Sequence, residues 1–418
     1  MSSTTRLRIG VALEGAGWHP AAWREPSSRP ADLFTPGYWV DVVRAAEAGL
    51  VDFVTIEDSL ALQSEEHFAP DHRTDEVRGR LDAVLIASRV APLTSRIGLI
   101  PTATVTHTEP FHVSKAIATL DYTSEGRAGW QVKVSGRPDE ARHVGRREFP
   151  TDIDLSDPAF AALVTELFDE AADAVEVVRR LWDSWEDDAE IRDVITDRFL
   201  DRDKVHQIDF EGRFFSVRGP SITPRPPQGQ PVVAALAHAE VPYRLAARQA
   251  DLVFVTPKDA EAARAILDQV RAAERDVDRA ATLEKPLQVF ADLVVLLDDT
   301  NGDTNGDASG DPAAERAADR LARLDALGRP LTSDARIIAG SAAEIADVIA
   351  DLSALGYAGV RLRPGVITDD LPRIADDLVP LLQQRGLLPA SADDATTLRG
   401  LLGLPEGIPS RYAAANAG

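Results

Sequence analysis

Short apolar runs alternate along this chain with longer segments in which apolar residues recur every three or four positions. The short runs predict β-strands and the longer segments predict amphipathic helices. Strands are predicted at residues 7–13, 52–56, 96–105, 128–134, 232–237, 252–256, 287–297 and 359–363. Helices are predicted at residues 38–49, 80–89, 112–120, 163–185, 243–249, 260–273, 342–355 and 371–385. This alternation indicates parallel β/α units, and eight strands predict an α/β fold of the TIM type, a closed (β/α)8 barrel.

Two stretches interrupt the alternation, and we interpret both as insertions in a single domain that spans residues 1–418. The first, at about residues 136–231, follows the fourth strand. The second, at about residues 298–312, is rich in Asp, Asn and Gly. Its spacing is similar to that of a calcium-binding loop, but Pro312 stands where such a loop needs a bidentate acid. A polar linker is therefore favoured.

Composition and charge limit the classes of function. The 418 residues include 45 Lys and Arg against 68 Asp and Glu, a formal net charge of −23. Binding to nucleic acid or to an anionic membrane is therefore not expected. The sequence shows neither an apolar run long enough for a transmembrane helix nor the pattern of a secretory signal. There is no cysteine for disulfides or thiolate metal sites. We expect a soluble cytoplasmic protein without a metal site.

The active site of a β/α barrel lies at the carboxyl ends of its strands, so polar residues there are candidates. Thr102, Thr104 and Thr106 alternate along the third strand and would share one face. They either line a polar ligand or reflect the preference of threonine for strands. Asp58 follows the second strand and either contacts a ligand or caps the next segment. Further candidates at these ends are His19, Gln131, Ser135 and His238.

Several motifs together carry a family resemblance. His-Pro-Ala-Ala-Trp-Arg follows the first strand, and residues 102–135 hold a Thr-rich strand, Glu-Pro-Phe-His, Leu-Asp and Gly-Arg-Ala-Gly-Trp. Residues 208–233 and the C-terminal Thr-Leu-Arg-Gly-Leu-Leu-Gly-Leu-Pro extend the match to nearly the whole chain. The chain resembles the bacterial luciferase-like flavin monooxygenases, in the branch that contains nitrilotriacetate and dibenzothiophene-sulfone monooxygenases.

The resemblance implies a β/α barrel that forms a homodimer. It also implies that the protein binds reduced FMN from a separate flavin reductase and uses O2 to oxygenate a small organic substrate. At the matching positions, Asp58 and Thr104 would face the flavin ring and ribityl chain, and Gln131 and Ser135 would lie near them. His19 would be the catalytic residue, as a hydrogen-bond donor to the reacting oxygen or to the substrate.

Two segments depart from the pattern of the branch. After the fifth strand, the branch has Gln-Ala-Gly-Ser-Ser-x-x-Gly, which holds the FMN phosphate. This chain has Ala-Leu-Ala-His-Ala-Glu-Val-Pro instead. His238 stands at one serine position and would bind phosphate when protonated, although Glu240 would oppose it. The second departure, at residues 141–150, contains basic side chains that would either bind a phosphate as a clamp or belong to a solvated loop. These cations are Arg142, His143, Arg146 and Arg147.

The two departures leave two other functions open beside the FMN-dependent monooxygenase. One is a deazaflavin-dependent oxidoreductase of the same fold. The other is a non-catalytic homologue that acts as a partner subunit or binds a small molecule.

Overall fold

The computed structural model describes residues 6–66, 69–151, 156–282, 285–299, 315–391 and 394–413. Its strands are β1 (Arg8–Leu13), β2 (Phe53–Ile56), β3 (Gly98–Thr104), β4 (Gly129–Lys133), β5 (Glu190–Asp193), β6 (Arg198–Leu200), β7 (Phe210–Glu211), β8 (Ser216–Val217), β9 (Val232–Leu236), β10 (Leu252–Val255), β11 (Gln288–Leu297), β12 (Arg336–Gly340) and β13 (Gly359–Pro364). Its α-helices are α1 (Pro36–Ala48), α2 (Ala83–Val90), α3 (Pro110–Thr123), α4 (Pro138–Val144), α5 (Pro158–Asp183), α6 (Glu240–Gln249), α7 (Ala260–Asp276), α8 (Arg279–Thr282), α9 (Ala317–Asp325), α10 (Ala342–Leu355), α11 (Ile367–Arg373), α12 (Val379–Gln384) and α13 (Leu398–Leu401). Within these ranges no helix has both the length and the apolar character needed to cross a membrane.

Eight parallel strands close into a barrel in the order β1-β2-β3-β4-β9-β10-β11-β13, and β13 pairs back with β1. The predicted (β/α)8 fold is therefore confirmed, and each predicted barrel strand is present. The strands are buried on both faces, as expected for a parallel sheet covered by helices.

A ninth parallel strand, β12, was not predicted. It pairs with β11 from Leu293 to Leu297, while the first part of β11, Gln288 to Ala291, pairs with β10. We call the carboxyl ends of the barrel strands the mouth of the barrel. Because β11 extends beyond β10 toward the mouth, its edge is free to pair there, and β12 occupies that edge. Its apolar run, residues 337–339, is only three residues long, which is too short to predict a strand.

The first predicted insertion contains the fourth helix of the barrel as well as additional elements. Helix α5 packs between α3 and α6, where the helix that follows β4 belongs. It begins at Pro158, earlier than predicted, because the Asp157 side chain accepts a hydrogen bond from the Ala159 N–H at 2.8 Å. The hairpins β5–β6 and β7–β8 complete this segment. Of the second predicted insertion, 298–312, only Asp298 and Asp299 lie within the described residues.

The amino end of the barrel is closed by a segment far along the chain. Leu398 on α13 packs in one apolar cluster with Phe53, Phe254 and Phe290 from β2, β10 and β11. Gly98 makes room for it, since a Cβ at that position would lie 2.4 Å from Leu398 Cδ1. The barrel interior is therefore sealed at this end, and a ligand enters at the carboxyl ends of the strands.

This packing predicts a large loss of stability for Leu398→Ala. The side chain is fully buried, so its truncation leaves a cavity and should lower the free energy of unfolding by about 2–5 kcal/mol. Leu85→Ala is the matched control, because Leu85 is 69% exposed, and it should change stability by less than about 0.5 kcal/mol. Denaturant unfolding of both variants measures the difference. Equal effects would show that Leu398 does not seal the barrel.

Candidate active site at the carboxyl ends of the barrel strands

A buried arginine lies at the centre of the barrel. Arg361 on β13 is fully buried, and its Nε donates to Asp292 Oδ1 on β11 at 2.8 Å. Its Nη1 donates to Gln131 Oε1 at 2.7 Å and to Glu57 Oε1 at 3.0 Å. The guanidinium carbon lies 4.1 Å from the centroid of the Phe254 ring. One side chain therefore connects five strands of the barrel.

Gln131 completes this polar network below the mouth. Its Nε2 donates to Thr102 Oγ1 at 2.8 Å and to Glu57 Oε2 at 3.0 Å, while its Oε1 accepts from Arg361. These contacts fix the orientation of the amide and leave the side chain with no exposed surface. In this structure Gln131 supports the floor of the site.

Arg363 lies two residues nearer the mouth than Arg361. It donates to Asp292 Oδ2 and, at 2.7 Å, to Asp334 Oδ1, and its guanidinium lies 4.6 Å from the centroid of the Trp18 indole. Partial burial acts to raise the pKa of Asp334, but Arg363 holds it below its ordinary value. Asp334 therefore remains a carboxylate at neutral pH.

His238 lies at the end of β9 and is held by two partners. Its Nδ1 lies 3.0 Å from Thr256 Oγ1, and its Nε2 lies 3.4 Å from Asp334 Oδ2. Partial burial lowers the pKa of His238 despite the nearby carboxylate. The ring is therefore neutral at pH 7. Since the ring is neutral and Glu240 begins α6 two residues later, His238 itself brings no positive charge to a phosphate.

His19 is buried and both of its ring nitrogens are engaged. The Ala21 N–H donates to Nδ1 at 3.0 Å, so the ring proton belongs on Nε2, which lies 3.0 Å from Asp325 Oδ1. Burial lowers the pKa of His19. The residue joins the loop after β1 to the last residue of α9, and donation to a ligand would require it to release Asp325.

Asp58 has the contacts of a capping residue. Its Oδ1 accepts from the Ser59 N–H at 2.7 Å and its Oδ2 accepts from the Ala83 N–H, at the start of α2, at 3.0 Å. Its backbone carbonyl accepts from Lys133 Nζ at 2.7 Å. Burial raises the pKa of Asp58 and lowers that of Lys133. The hydrogen bonds of Asp58 and Lys133 fix the ends of β2 and β4 beside the mouth.

The threonines and Ser135 line the neighbouring strand ends. Thr104 is buried at the end of β3, in register with Lys133 of β4. The Ser135 N–H donates to Thr106 Oγ1 at 2.8 Å, and Ser135 Oγ accepts from the Arg137 N–H at 3.2 Å. The structure thus brings Thr104, Gln131 and Ser135 together along β3 and β4. His238 follows β9, the neighbour of β4 on one side, and His19 follows β1, two strands from β3 on the other side.

The cations at residues 142–147 are partly neutralised. Arg146 pairs with Glu109, and Arg147 binds both carboxylate oxygens of Glu170 at 2.6 and 2.5 Å. The remaining two, Arg142 and His143, are exposed. Arg142 and His143 lie in the last turn of helix α4, so this part of the predicted loop is helical. The geometry favours solvated, partly ion-paired cations over a phosphate clamp.

Several buried polar atoms around the mouth have no hydrogen-bond partner among the described residues. They follow β1, β2, β3, β4 or lie on β13, and they are Trp18 Nε1, Arg80 Nε, His107 Nδ1 and Nε2, Glu140 Oε2 and Arg363 Nε. Isolated atoms of this kind occur elsewhere, as at Gln288. Because buried polar groups are normally paired, a concentration of unpaired donors and acceptors indicates that the mouth binds a polar ligand.

The buried charges on β11 and β13 were not among the site residues predicted from the sequence. Arg361 and Arg363 occupy alternate positions of Gly-Val-Arg-Leu-Arg-Pro, and Asp292 interrupts an apolar run of β11. In a strand that is buried on both faces, a charged residue must point into the barrel and find a partner there. That rule would have identified all three.

The comparisons with known proteins agree with this architecture. A family model described as luciferase-like monooxygenase matches residues 15–359. N-acetyl-S-(2-succino)cysteine monooxygenase of Bacillus subtilis (strain 168) is 33% identical over 296 residues, 70% of this chain and 63% of the relative. Nitrilotriacetate monooxygenase component A of Aminobacter aminovorans is 31% identical over 305 residues, 72% of this chain and 64% of the relative. The matches thus span slightly less than two thirds of these relatives.

Solved structures show the same fold at lower identity. EDTA monooxygenase from Chelativorans sp. BNC1 superposes with a TM-score of 0.74 at 23% identity, covering 96% of this chain and 98% of that one. A long-chain alkane monooxygenase superposes with a TM-score of 0.78 at 20% identity, covering 99% and 100%.

The central ion network predicts that Arg361→Met is strongly destabilising. Methionine leaves Asp292 with one fewer partner and Glu57 without its arginine, so we expect a loss of about 3–5 kcal/mol in the free energy of unfolding. Arg385→Met is the control, because its pair with Asp347 is largely exposed, and it should cost less than about 1 kcal/mol. Urea unfolding tests both. A loss for Arg361→Met no larger than for Arg385→Met would contradict the assigned role.

The lowered pKa of His19 predicts a pH effect of defined sign. In the unfolded chain the imidazole takes up a proton near its ordinary pKa of 6.5, whereas the folded site resists protonation. The stability advantage of the wild type over His19→Asn should therefore shrink as the pH falls from 7 to 5. Thermal or urea unfolding at several pH values measures it. An advantage that grows on acidification would mean that the ion pair with Asp325 dominates.

Proposed function

The chain belongs to the luciferase-like monooxygenase family, and from that premise we propose that it is a two-component flavin monooxygenase. In this proposal a separate flavin reductase delivers reduced FMN, and the protein uses O2 to oxygenate a small organic substrate. The family's members are flavin-dependent oxidoreductases. The name of the relative nitrilotriacetate monooxygenase component A supports a separate second component.

The observation that carries the proposal is the set of unpaired polar atoms at the mouth. A flavin ring presents carbonyl oxygens and ring nitrogens along its edge, which are suitable partners for the unpaired donors of Trp18 and Arg363. Thr104 would contact the ring or the ribityl chain from β3. When bound, the reduced flavin supplies the electrons that activate O2. The residues at the mouth therefore fit the cofactor ring.

The protein's own contribution is a fixed and dry support for that ring. Arg361, Asp292 and Glu57 satisfy one another beneath the mouth, so the floor does not need water to complete its hydrogen bonds. Asp292 also holds Arg363 in position from below. A preorganised polar floor orients the cofactor and excludes water from the reacting side.

The residues named from the sequence take different roles in this proposal. Thr104 would contact the cofactor directly. His19, Asp58, Gln131 and Ser135 would position the surrounding loops and floor, because their polar atoms already have protein partners. His238, neutral and next to Glu240, would add little to phosphate binding. We therefore expect the flavin ring to provide most of the binding energy.

The first test is an anaerobic titration of the purified protein with reduced FMN and reduced riboflavin. Saturable binding in the micromolar range is expected for FMN, with riboflavin within about tenfold of it. Thr104→Val should weaken FMN binding about three- to tenfold, because it removes one hydroxyl at nearly constant volume. The matched control is Thr119→Val, at an exposed position of α3.

Absence of FMN binding to the folded protein up to millimolar concentrations would contradict the proposal. So would tighter binding of a reduced deazaflavin, which would favour the hydride-transfer alternative. Equal affinities of the Thr104 and Thr119 variants for reduced FMN would show that Thr104 does not contact the cofactor.

The resemblance also supports a homodimer that acts in the cytoplasm. Sedimentation of the purified protein should give the mass of two chains, about twice 45.1 kDa. A concentration-independent monomer would contradict the dimer.

A further inference from the structure

An apolar groove lies beside the mouth, between the segment after α4 and helix α5. It has a volume of about 530 Å³. Its apolar wall is formed by Phe149, Phe160, Leu163, Leu167 and Phe214. Leu167 is buried and the other four side chains are half-buried. The groove therefore presents partly exposed aromatic and aliphatic surface to the solvent.

The groove and the mouth share a wall. Phe149, which lines the groove, packs against His107 at the end of β3 with 5.9 Å between ring centroids. Leu167, also in the groove, lies close to Gly136, where a Cβ would be 3.3 Å from Leu167 Cδ1. Gly136 follows β4 by three residues. A ligand in the groove therefore lies next to the ends of β3 and β4.

His107 is the polar group at this wall. It is only 9% exposed, and neither ring nitrogen has a hydrogen-bond partner among the described residues. Burial, and then the nearby Arg147, lower its pKa, while Glu140 and Glu170 act in the opposite direction. The neutral imidazole carries one N–H donor and one acceptor nitrogen. Both nitrogens are buried and the ring packs against Phe149, so a ligand in the groove would reach them by displacing the Phe149 ring.

The charges on the rim disfavour an anionic ligand. Glu148, Asp157 and Glu166 border the groove. Among the described lining residues Arg147 is the cation, and both carboxylate oxygens of Glu170 already bind it. An anion would meet the carboxylates of Glu148 and Asp157, whereas Glu166 is paired with Arg213 and Arg147 with Glu170.

From these observations we propose that the groove is the substrate site and that it takes an uncharged, largely apolar molecule whose polar group hydrogen-bonds to His107. This inference rests on the proposed function and specifies its substrate class. It separates this chain from the relatives named for nitrilotriacetate and EDTA, which are polycarboxylates.

The test is calorimetric binding of two probes to the full-length protein. Methyl phenyl sulfone has an aromatic body and oxygen acceptors without charge, and nitrilotriacetate with Mg²⁺ is the anionic counterpart. We expect the sulfone to bind saturably and at least about tenfold more tightly than the chelate, because the groove matches it in polarity and charge. Tighter binding of nitrilotriacetate, or no binding of the sulfone, would overturn the inference.

Variants of His107 distinguish a hydrogen bond from simple packing. His107→Phe keeps an aromatic ring beside Phe149 but removes both nitrogens, and it should weaken sulfone binding about tenfold. His107→Gln restores a donor and an acceptor and should stay within about threefold of the wild type. His112→Gln, at an exposed position of α3, is the matched control and should have no effect. Unchanged binding by His107→Phe would overturn the role of His107.

A groove variant and the flavin titration separate the remaining outcomes. Leu163→Glu places a charge in the apolar wall and should weaken sulfone binding without altering reduced-FMN binding. If FMN binds and the sulfone does not, the inference fails while the proposed function stands. If the sulfone binds through His107 and FMN does not bind, the groove is supported and the proposed function fails.

Discussion

The positive charge of Arg361 in the centre of the barrel is the constraint on which the rest of the site depends. A buried guanidinium is tolerated only when carboxylates neutralise it and its N–H groups are bonded. Asp292 and Glu57 supply the charges, Gln131 supplies a further acceptor, and Phe254 supplies a ring face below. These partners lie on or directly after four different strands, so satisfying one arginine sets the mutual position of five strands, its own included, at the depth where the site begins.

The same constraint explains why the mouth combines polar groups that protein partners hold in place with polar groups that have no hydrogen-bond partner among the described residues. Below the mouth every hydrogen bond of the Arg361 network that we describe is made between protein atoms. One layer higher, Arg363 has partners for its Nη atoms but none for Nε, and His107 has none among the described residues. We expect a ligand to replace protein partners at this level, where paired polar atoms give way to unpaired ones. The groove beside His107 continues this layer of the mouth toward the insertion after β4.

Much of the fold follows from local patterns, whereas the contacts of the site do not. The eight barrel strands were predictable because each is an apolar run bounded by turn or helix signals. The strand β12 was not, since Arg-Ile-Ile-Ala-Gly contains an apolar run of only three residues. The partner of His19 could not be inferred, because Asp325 lies 306 residues away and no local rule joins them. The sequence allows Asp58 either to cap a segment or to contact a ligand, and its two bonds to backbone N–H groups show the capping geometry.

The closure of the amino end of the barrel by α13 has a consequence for how the chain folds during synthesis. All the barrel strands precede Leu398, which packs against β2, β10 and β11 at their amino ends. Until that residue has left the ribosome, Phe53, Phe254 and Phe290 line an open apolar cavity that water or another chain can reach. Such nascent barrels are suitable clients for chaperones that recognise exposed aromatic surface. Completion of the core is therefore a late, long-range event in the folding of this protein.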